Sequence, residues 1–266
     1  EALELRTAGI TKTPILLLEG VFEESELSLV ETNKLWMVVC NSVQLDWVLK
    51  SKPKKPYTIF LKIDTGMGRL GFHADESVEI INALENSINV GKITLMTHFS
   101  SADNQESNFT KNQIEKFNNT IKTNDNAQSL ANSAAIMAWK DSHSEFTRPG
   151  IMLYGSSPFL FNKQSHDLIP AMTLETSLIS IKKFKKGDEI GYGGRYVCKE
   201  DTLIGVAAIG YGDGYPRGAK DGTPVYINGG IARLAGRVSM DMVTINLAGI
   251  DNPKIGDRVE LFGLNV

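Results

Sequence analysis

The chain has 266 residues, 42% of them hydrophobic and 22% charged, with a formal net charge of −3. That composition describes an ordinary globular protein with room for one large domain or two of average size. The charge gives no electrostatic basis for binding nucleic acid or an anionic membrane, and no apolar run approaches the length of a membrane span.

The opening EALELRTAG (1–9) reads as the second half of a helix stopped by Gly9. There is no initiator Met and no signal peptide, and GDRVELFGLNV (256–266) stops just after a strand-like run, so both ends read as cut. Strand candidates follow at 14–20, 35–41, 57–64, 93–100, 129–133 and 150–156, with helix candidates between them at 24–32, 44–52, 76–86, 105–122 and 134–142. Near-continuous apolar strands separated by helices predict a parallel sheet buried on both faces. Two architectures meet that pattern: an open doubly wound sheet, or a (β/α)₈ barrel lacking its first two strands. Both place their sites at the C-terminal ends of the strands, where Lys62, Asp64, His98, Asn132 and Ser133 fall.

From about residue 168 helical periodicity vanishes. MTLETSLISIKKF (172–184), TLIGVAAIG (202–210), PVYINGGIARLAG (224–236), MVTINLAG (242–249) and RVELFG (258–263) are strand-like and separated by glycine turns. This predicts a barrel domain over 1–167 and an all-β domain over 168–266, joined through the aperiodic PFLFNKQSHDLIP (158–170).

Few residues invite chemistry on their own. KIDTGMGRLGF (62–72) lacks both the dinucleotide fingerprint and the P-loop GK[ST]. It offers two cations, Lys62 and Arg69; the fork of Arg69 suits a carboxylate, although a lone loop Arg is most simply a solvated charge. His98 ends an apolar strand and is open to either a structural or a catalytic reading. Arg148 precedes Pro149-Gly150; the Gly150 and Ile151 amides with Asn132-Ser133 make a possible phosphate cradle. Tyr192, flanked by glycines, is either a turn residue or a reactive phenol. His73, His143 and His166 form no ligand set, so no metal is expected, and Cys40 and Cys198 read as two reduced thiols.

Taken together, KIDTGMGRLGF, THFSSAD, ANSAA, RPGIMLYG, EIGYGG, AIGYGDGYPR and GRVSMDM occur in the order seen in bacterial alanine racemases, and the resemblance covers essentially the whole chain. It implies a fold-type III scaffold, pyridoxal phosphate as cofactor, alanine as substrate and a cytoplasmic homodimer with shared active sites, making D-alanine for peptidoglycan. It implies that Tyr192 is the catalytic phenol of one face and that Arg148 faces the pyridine nitrogen, which it would leave unprotonated. His98 would join the Arg148–Tyr192 network and lie against the ring. Ser133 with the Gly150 and Ile151 amides would hold the phosphate, and Arg69 with the Met240 amide the substrate carboxylate. Lys62 would be carbamylated and orient Arg69. Asp241 would support the partner's site, and Tyr211, Asp103 and Arg237 would line the entrance. Racemisation removes a proton from one face of the α-carbon and returns one to the other, so two groups are needed.

The family's second base is the lysine that binds the cofactor covalently, and no KANAYGHG-like segment occurs in these 266 residues; the C-terminal tyrosine that touches the phosphate is likewise absent. The expectation is that this chain by itself does not racemise alanine. The other readings are a racemase of broader specificity on the same scaffold and a non-catalytic fragment.

Overall fold

A computed structural model describes residues 1–122, 124–159 and 168–266. The chain divides into two compact units, Glu1–Leu153 with Ser157–His166 and Tyr154–Ser156 with Asp167–Val266. The expected domain boundary at 167/168 borders residues 160–167, and His166 is one of them; both lie outside the described residues.

In the first unit the strands are β1 (Leu16–Leu17), β2 (Trp36–Val39), β3 (Tyr57–Asp64), β4 (Phe72–His73), β5 (Val90–Met96) and β6 (Ala127–Ser129). Among them run α1 (Ala2–Thr7), α2 (Leu27–Thr32), α3 (Ser42–Lys50), α4 (Ala74–Glu85), α5 (Phe109–Thr120) and then α6 (Ser133–Ala138). The sheet order is β1-β2-β3-β5-β6, every pair parallel, with the short β4 beside the end of β3. Strands therefore lie side by side in chain order. A doubly wound sheet reverses that order at a switch point, and no reversal occurs among the described strands.

Side-chain parity explains the apolar runs. Met37, Val39, Ile59, Leu61, Ile63 and Leu95 point to the helices and form the larger core with Val48, Ile81, Leu84, Ile114 and Phe117. Val38, Cys40, Phe60 and Met96 point to the other face, where Trp36, Phe60 and Phe146 pack ring to ring at centroid distances of 5.4 to 6.1 Å. Lys62 has the parity of Phe60 and is paired in register with Met96, so it sits on this second face. Asn41 and Asn132 start α3 and α6 by accepting from Gln44 N and Ala135 N.

Two expectations fail here. The strand expected at 150–156 is a 3₁₀ turn over Ile151–Tyr154. Its apolar residues face solvent, and the Gly150 N–H that a ladder would use is bound to Ser133 Oγ at 2.8 Å. An apolar run alone does not supply a partner strand. The strand expected at 129–133 ends at Ser129, because Asn132 already caps the next helix.

The second unit is a closed antiparallel barrel, ordered β10-β13-β12-β11-β14-β7, from β7 (Leu174–Phe184), β10 (Thr202–Ala207), β11 (Pro224–Ile227), β12 (Gly230–Leu234), β13 (Val243–Asn246) and β14 (Arg258–Phe262). The β11–β12 hairpin turns on Asn228-Gly229, both at positive φ (47° and 83°), the geometry of a type I′ turn. A separate pair, β8 (Glu189–Ile190) with β9 (Tyr196–Val197), was not legible in the sequence; it brackets the turn that carries Tyr192.

Candidate active site

At the C-terminal ends of β3 and β5 the backbone turns out of the sheet, and polar side chains replace apolar ones. The carboxylate of Asp64 closes the first turn, accepting from Gly66 N and Met67 N at 2.8 Å each and from Gly68 N at 2.9 Å. Burial alone would raise its pKa; those amides, with that of Arg69, outweigh burial and hold it below the ordinary value. Asp64 thus fixes the loop on which Arg69 stands. Thr65 Oγ1 and Thr97 Oγ1 share a proton at 2.8 Å, and Gln113 Nε2 donates to Thr65 Oγ1 and to His98 O at 3.2 Å each, while its Oε1 accepts from Ser100 N at 3.1 Å. One buried amide from α5 therefore ties the Arg69 loop to the His98 turn.

Arg148 is the most constrained side chain of the group. Nη1 donates to Ser129 O at 2.8 Å and to Ser129 Oγ; Nη2 donates to Thr97 O and to Leu130 O at 3.2 Å. Nη2 also faces His98 Nδ1 at 3.4 Å. A guanidinium only donates, so Nδ1 is the unprotonated ring nitrogen. Burial brings Arg148 down to about 10, and burial followed by the charges of Arg148, Arg69 and Lys62 brings His98 down to about 4. His98 is therefore a neutral imidazole at pH 7. Beside it opens a cleft of about 440 Å³ lined in part by Asp103, Ser133, Gly150 and Ile151. Ser133 Oγ accepts from Gly150 N, and the Ile151 N–H meets no acceptor among the described residues.

Lys62 is only 7% exposed, and its ammonium makes no hydrogen bond or ion pair with any described residue. Burial, then the charge of Arg69, lowers its pKa. A buried lysine among like charges is anomalous unless it is neutral or modified.

The depressed pKa of His98 has a consequence for stability. The neutral form is the folded form, so the contribution is fully present above the unfolded pKa of 6.5 and is lost as pH falls toward about 4. The shift corresponds to about 3 kcal/mol. Urea melts between pH 7.5 and 4.5 should show this loss, and His98→Gln should flatten it; an unchanged pH slope in the variant would place the titration elsewhere.

The second unit gathers the remaining sequence-selected residues at one set of loops. Tyr192 is 70% exposed on a turn where Gly191, Gly193 and Gly194 all have positive φ, a conformation other residues adopt only under strain. The turn packs near Gly236-Arg237. The Tyr211 turn is bound to the 239–242 loop, Tyr211 N to Ser239 O at 3.0 Å and Gly212 N to Met240 O at 2.8 Å. A Cβ on Gly210 would lie 2.2 Å from Met240 O, so only glycine permits this approach. Met240 and Asp241 are exposed, and the guanidinium of Arg217 lies 5.5 Å over the Tyr211 ring. The residues proposed from the sequence thus form two groups. Lys62, Arg69, His98, Asp103, Ser133, Arg148, Gly150 and Ile151 belong to the first unit; Tyr192, Tyr211, Arg237, Met240 and Asp241 belong to the second.

Sequence reasoning passed over Gln113, Thr65, Thr97 and Ser129, and gave Asp64 no role. For Gln113 a signal existed: α5 buries Thr110, Gln113, Ile114 and Phe117 at helical spacing, and a glutamine on an apolar stripe needs polar partners. Among the described residues no group of three or more His, Cys, Asp or Glu is placed to hold a metal ion.

A family model of the alanine racemase N-terminal domain matches residues 1–158, and one of the alanine racemase C-terminal domain matches residues 171–266. Alanine racemases of Mannheimia succiniciproducens and Pasteurella multocida are 46% and 47% identical to the chain, over 99% of it and 73% of each relative. The solved biosynthetic alanine racemase of Pseudomonas aeruginosa superposes with a TM-score of 0.94 at 38% identity, over all of this chain and 74% of that one. An alanine racemase of Bartonella henselae, solved with covalently bound pyridoxal phosphate, superposes with a TM-score of 0.83 at 25% identity, over 98% of this chain and 73% of that one.

Proposed function

The chain belongs to the alanine racemase family, isomerases that interconvert L-alanine and D-alanine; from that premise we propose that its two groups of residues hold pyridoxal phosphate and move the α-proton of alanine between faces. The carrying observation is the Arg148–His98 pair beside the Ser133–Gly150–Ile151 cleft. A fixed cation, a neutral imidazole, a hydroxyl and a free amide N–H are a donor set that fits a phosphorylated pyridine. When bound, the cofactor supplies the electron sink that acidifies the α-carbon.

The chain's own residues then have distinct tasks. Ser133 and the Gly150 and Ile151 amides hold the phosphate. Arg148, whose donors are committed to backbone and side-chain oxygens, presents an immobile positive charge to the ring nitrogen and disfavours its protonation. His98 lies against the ring. Arg69 and the Met240 amide take the substrate carboxylate, and the Tyr192 hydroxyl exchanges the proton on one face. Lys62 is carbamylated: its ammonium gives up one proton, a step burial favours, and the neutral amine adds to the carbon of CO₂ and releases a second, which leaves an anion facing Arg69 in place of an unpaired cation. Asp241 supports the partner's site; Tyr211, Asp103 and Arg237 line the way in.

The parallel strands in chain order support reading residues 1–167 as part of a (β/α)₈ barrel, with 168–266 as the second domain. Tyr192 and Met240 would serve the barrel of a second subunit, giving a two-fold homodimer with shared sites. A cytoplasmic place and a role in supplying D-alanine to peptidoglycan follow the same reading; among the described residues no helix is long and apolar enough to cross a membrane.

The test is direct. The polypeptide that also carries the family's covalent lysine, loaded with cofactor, should interconvert the two alanines, followed by circular dichroism; serine and glutamate as competing substrates separate the broader-specificity reading. Bound cofactor with no turnover of alanine would sink the assignment.

A further inference from the structure

The turn that carries Tyr192 is stapled by only a four-residue β pair, and the Tyr192 side chain itself has no partner among the described residues. Yet a phenol that exchanges a proton with a substrate held elsewhere by the Met240 amide must keep a fixed distance from that amide. We propose that Arg195 and Asp221 are a positioning pair that sets Tyr192 against the Met240 loop; this rests on the reading of Tyr192 and Met240 given above.

The geometry is bidentate. Arg195 Nε meets Asp221 Oδ2 at 3.1 Å and Nη2 meets Oδ1 at 3.0 Å. The pair then grips both backbone groups of one residue: Nη2 donates to Gly236 O at 2.9 Å, and Asp221 Oδ1 accepts from Gly236 N at 2.6 Å. Arg195 follows Tyr192 by three residues and immediately precedes β9, while Gly236 leads through Arg237 into Ser239–Met242. That loop is in turn bound to the Tyr211 turn. Hydrogen bonds therefore link the Tyr192 turn to Gly236, four residues of backbone carry that anchor on to Met240, and the ion pair is the link that joins turns remote in sequence. An ion pair about one-third exposed adds little to folding free energy. Its value lies in orientation, because two parallel N–H···O bonds fix an angle as well as a distance.

The experiment uses the cofactor-loaded full-length enzyme carrying Asp221→Asn, Arg195→Lys or the exchanged pair Arg195→Asp/Asp221→Arg, with Tyr192→Phe as reference. Asp221→Asn should lower kcat by roughly tenfold to a hundredfold, the scale of a misplacement near 1 Å. The α-deuterium isotope effect should rise in the same direction as it does for Tyr192→Phe, with a melting shift of only a few degrees. Hydrogen exchange, read with and without cofactor, should accelerate in peptides covering 191–195 and 236–240 and stay unchanged in the first unit, and the exchanged pair should restore part of that protection. Unchanged exchange at both segments, or α-deuterium isotope effects altered equally in both directions for both Asp221→Asn and Arg195→Lys, overturns the pair's role. If Tyr192→Phe itself alters the isotope effects equally in both directions, the reading of Tyr192 falls instead, and the exchange data still decide whether the pair holds the turn.

Discussion

Arg148→Met should lower the stability of the chain by about 3 kcal/mol in denaturant melts at pH 7, more than any other single change at the site. The guanidinium is the donor that satisfies the Thr97 and Leu130 carbonyls, and it also bonds Ser129 O and Oγ. Leaving a buried carbonyl without its donor costs about 1–3 kcal/mol each, to which the space left by the missing group adds. Arg148→Lys should recover only part of the loss, because an ammonium on a flexible stem cannot span carbonyls from three residues. The same substitution removes the nearest positive charge from His98, so in Arg148→Met the imidazole should titrate closer to its ordinary value, visible as an upward move of its proton NMR titration midpoint. An unchanged denaturation midpoint would mean that water replaces the guanidinium without loss, and an unmoved His98 would assign its depression to burial and the charges of Arg69 and Lys62.

Tyr192→Phe should cost the most activity for the least structural change. The hydroxyl is exposed and makes no hydrogen bond with a described residue, so its removal should leave the melting temperature within a degree or two. In the cofactor-loaded full-length enzyme, loss of a positioned acid–base group should reduce turnover by roughly 10²–10⁴-fold. Because the two enantiomers are equal in free energy, kcat/KM must fall equally in both directions; the asymmetry should appear as a larger α-deuterium isotope effect in the direction in which Tyr192 abstracts the proton. Unchanged turnover, or isotope effects altered equally in both directions, would remove Tyr192 from the proton path.

Much of the fold was legible because the physics that shapes it is local. The alternation of β3-like apolar runs with amphipathic stretches led to a parallel sheet, and strand-like runs punctuated by glycine turns led to an all-β domain. The run 150–156 misled for the converse reason: apolar residues announce a strand only if a neighbour exists to pair with, and Ser133 takes the Gly150 amide instead. At the site, the groups that would touch ligand were recoverable from motifs, since glycines and charges in loops stand out. The groups that hold them were not. Gln113, Arg195 and Asp221 act through groups contributed by distant segments, and Asp64 through the amides of its own turn; apart from the polar break that Gln113 makes in the α5 stripe, nothing in the neighbouring residues records those distant partners. His98 could be read either way from sequence; its neutrality depends on Arg148, fifty residues on, lying 3.4 Å away.

The two units also differ in when they can form. Each parallel strand of the first pairs with one already synthesised, so that sheet can grow by accretion while the ribosome is still working. The β barrel has no such order. Its longest strand, β7, is flanked by β10 and by β14, and β14 begins at Arg258. Until that last strand emerges, Leu174–Ser177 lack the strand they pair with, and closure must wait for a contact spanning most of the domain. Translation pauses or truncations within this half of the gene would therefore expose a bare β edge, making it the segment most dependent on chaperones during synthesis.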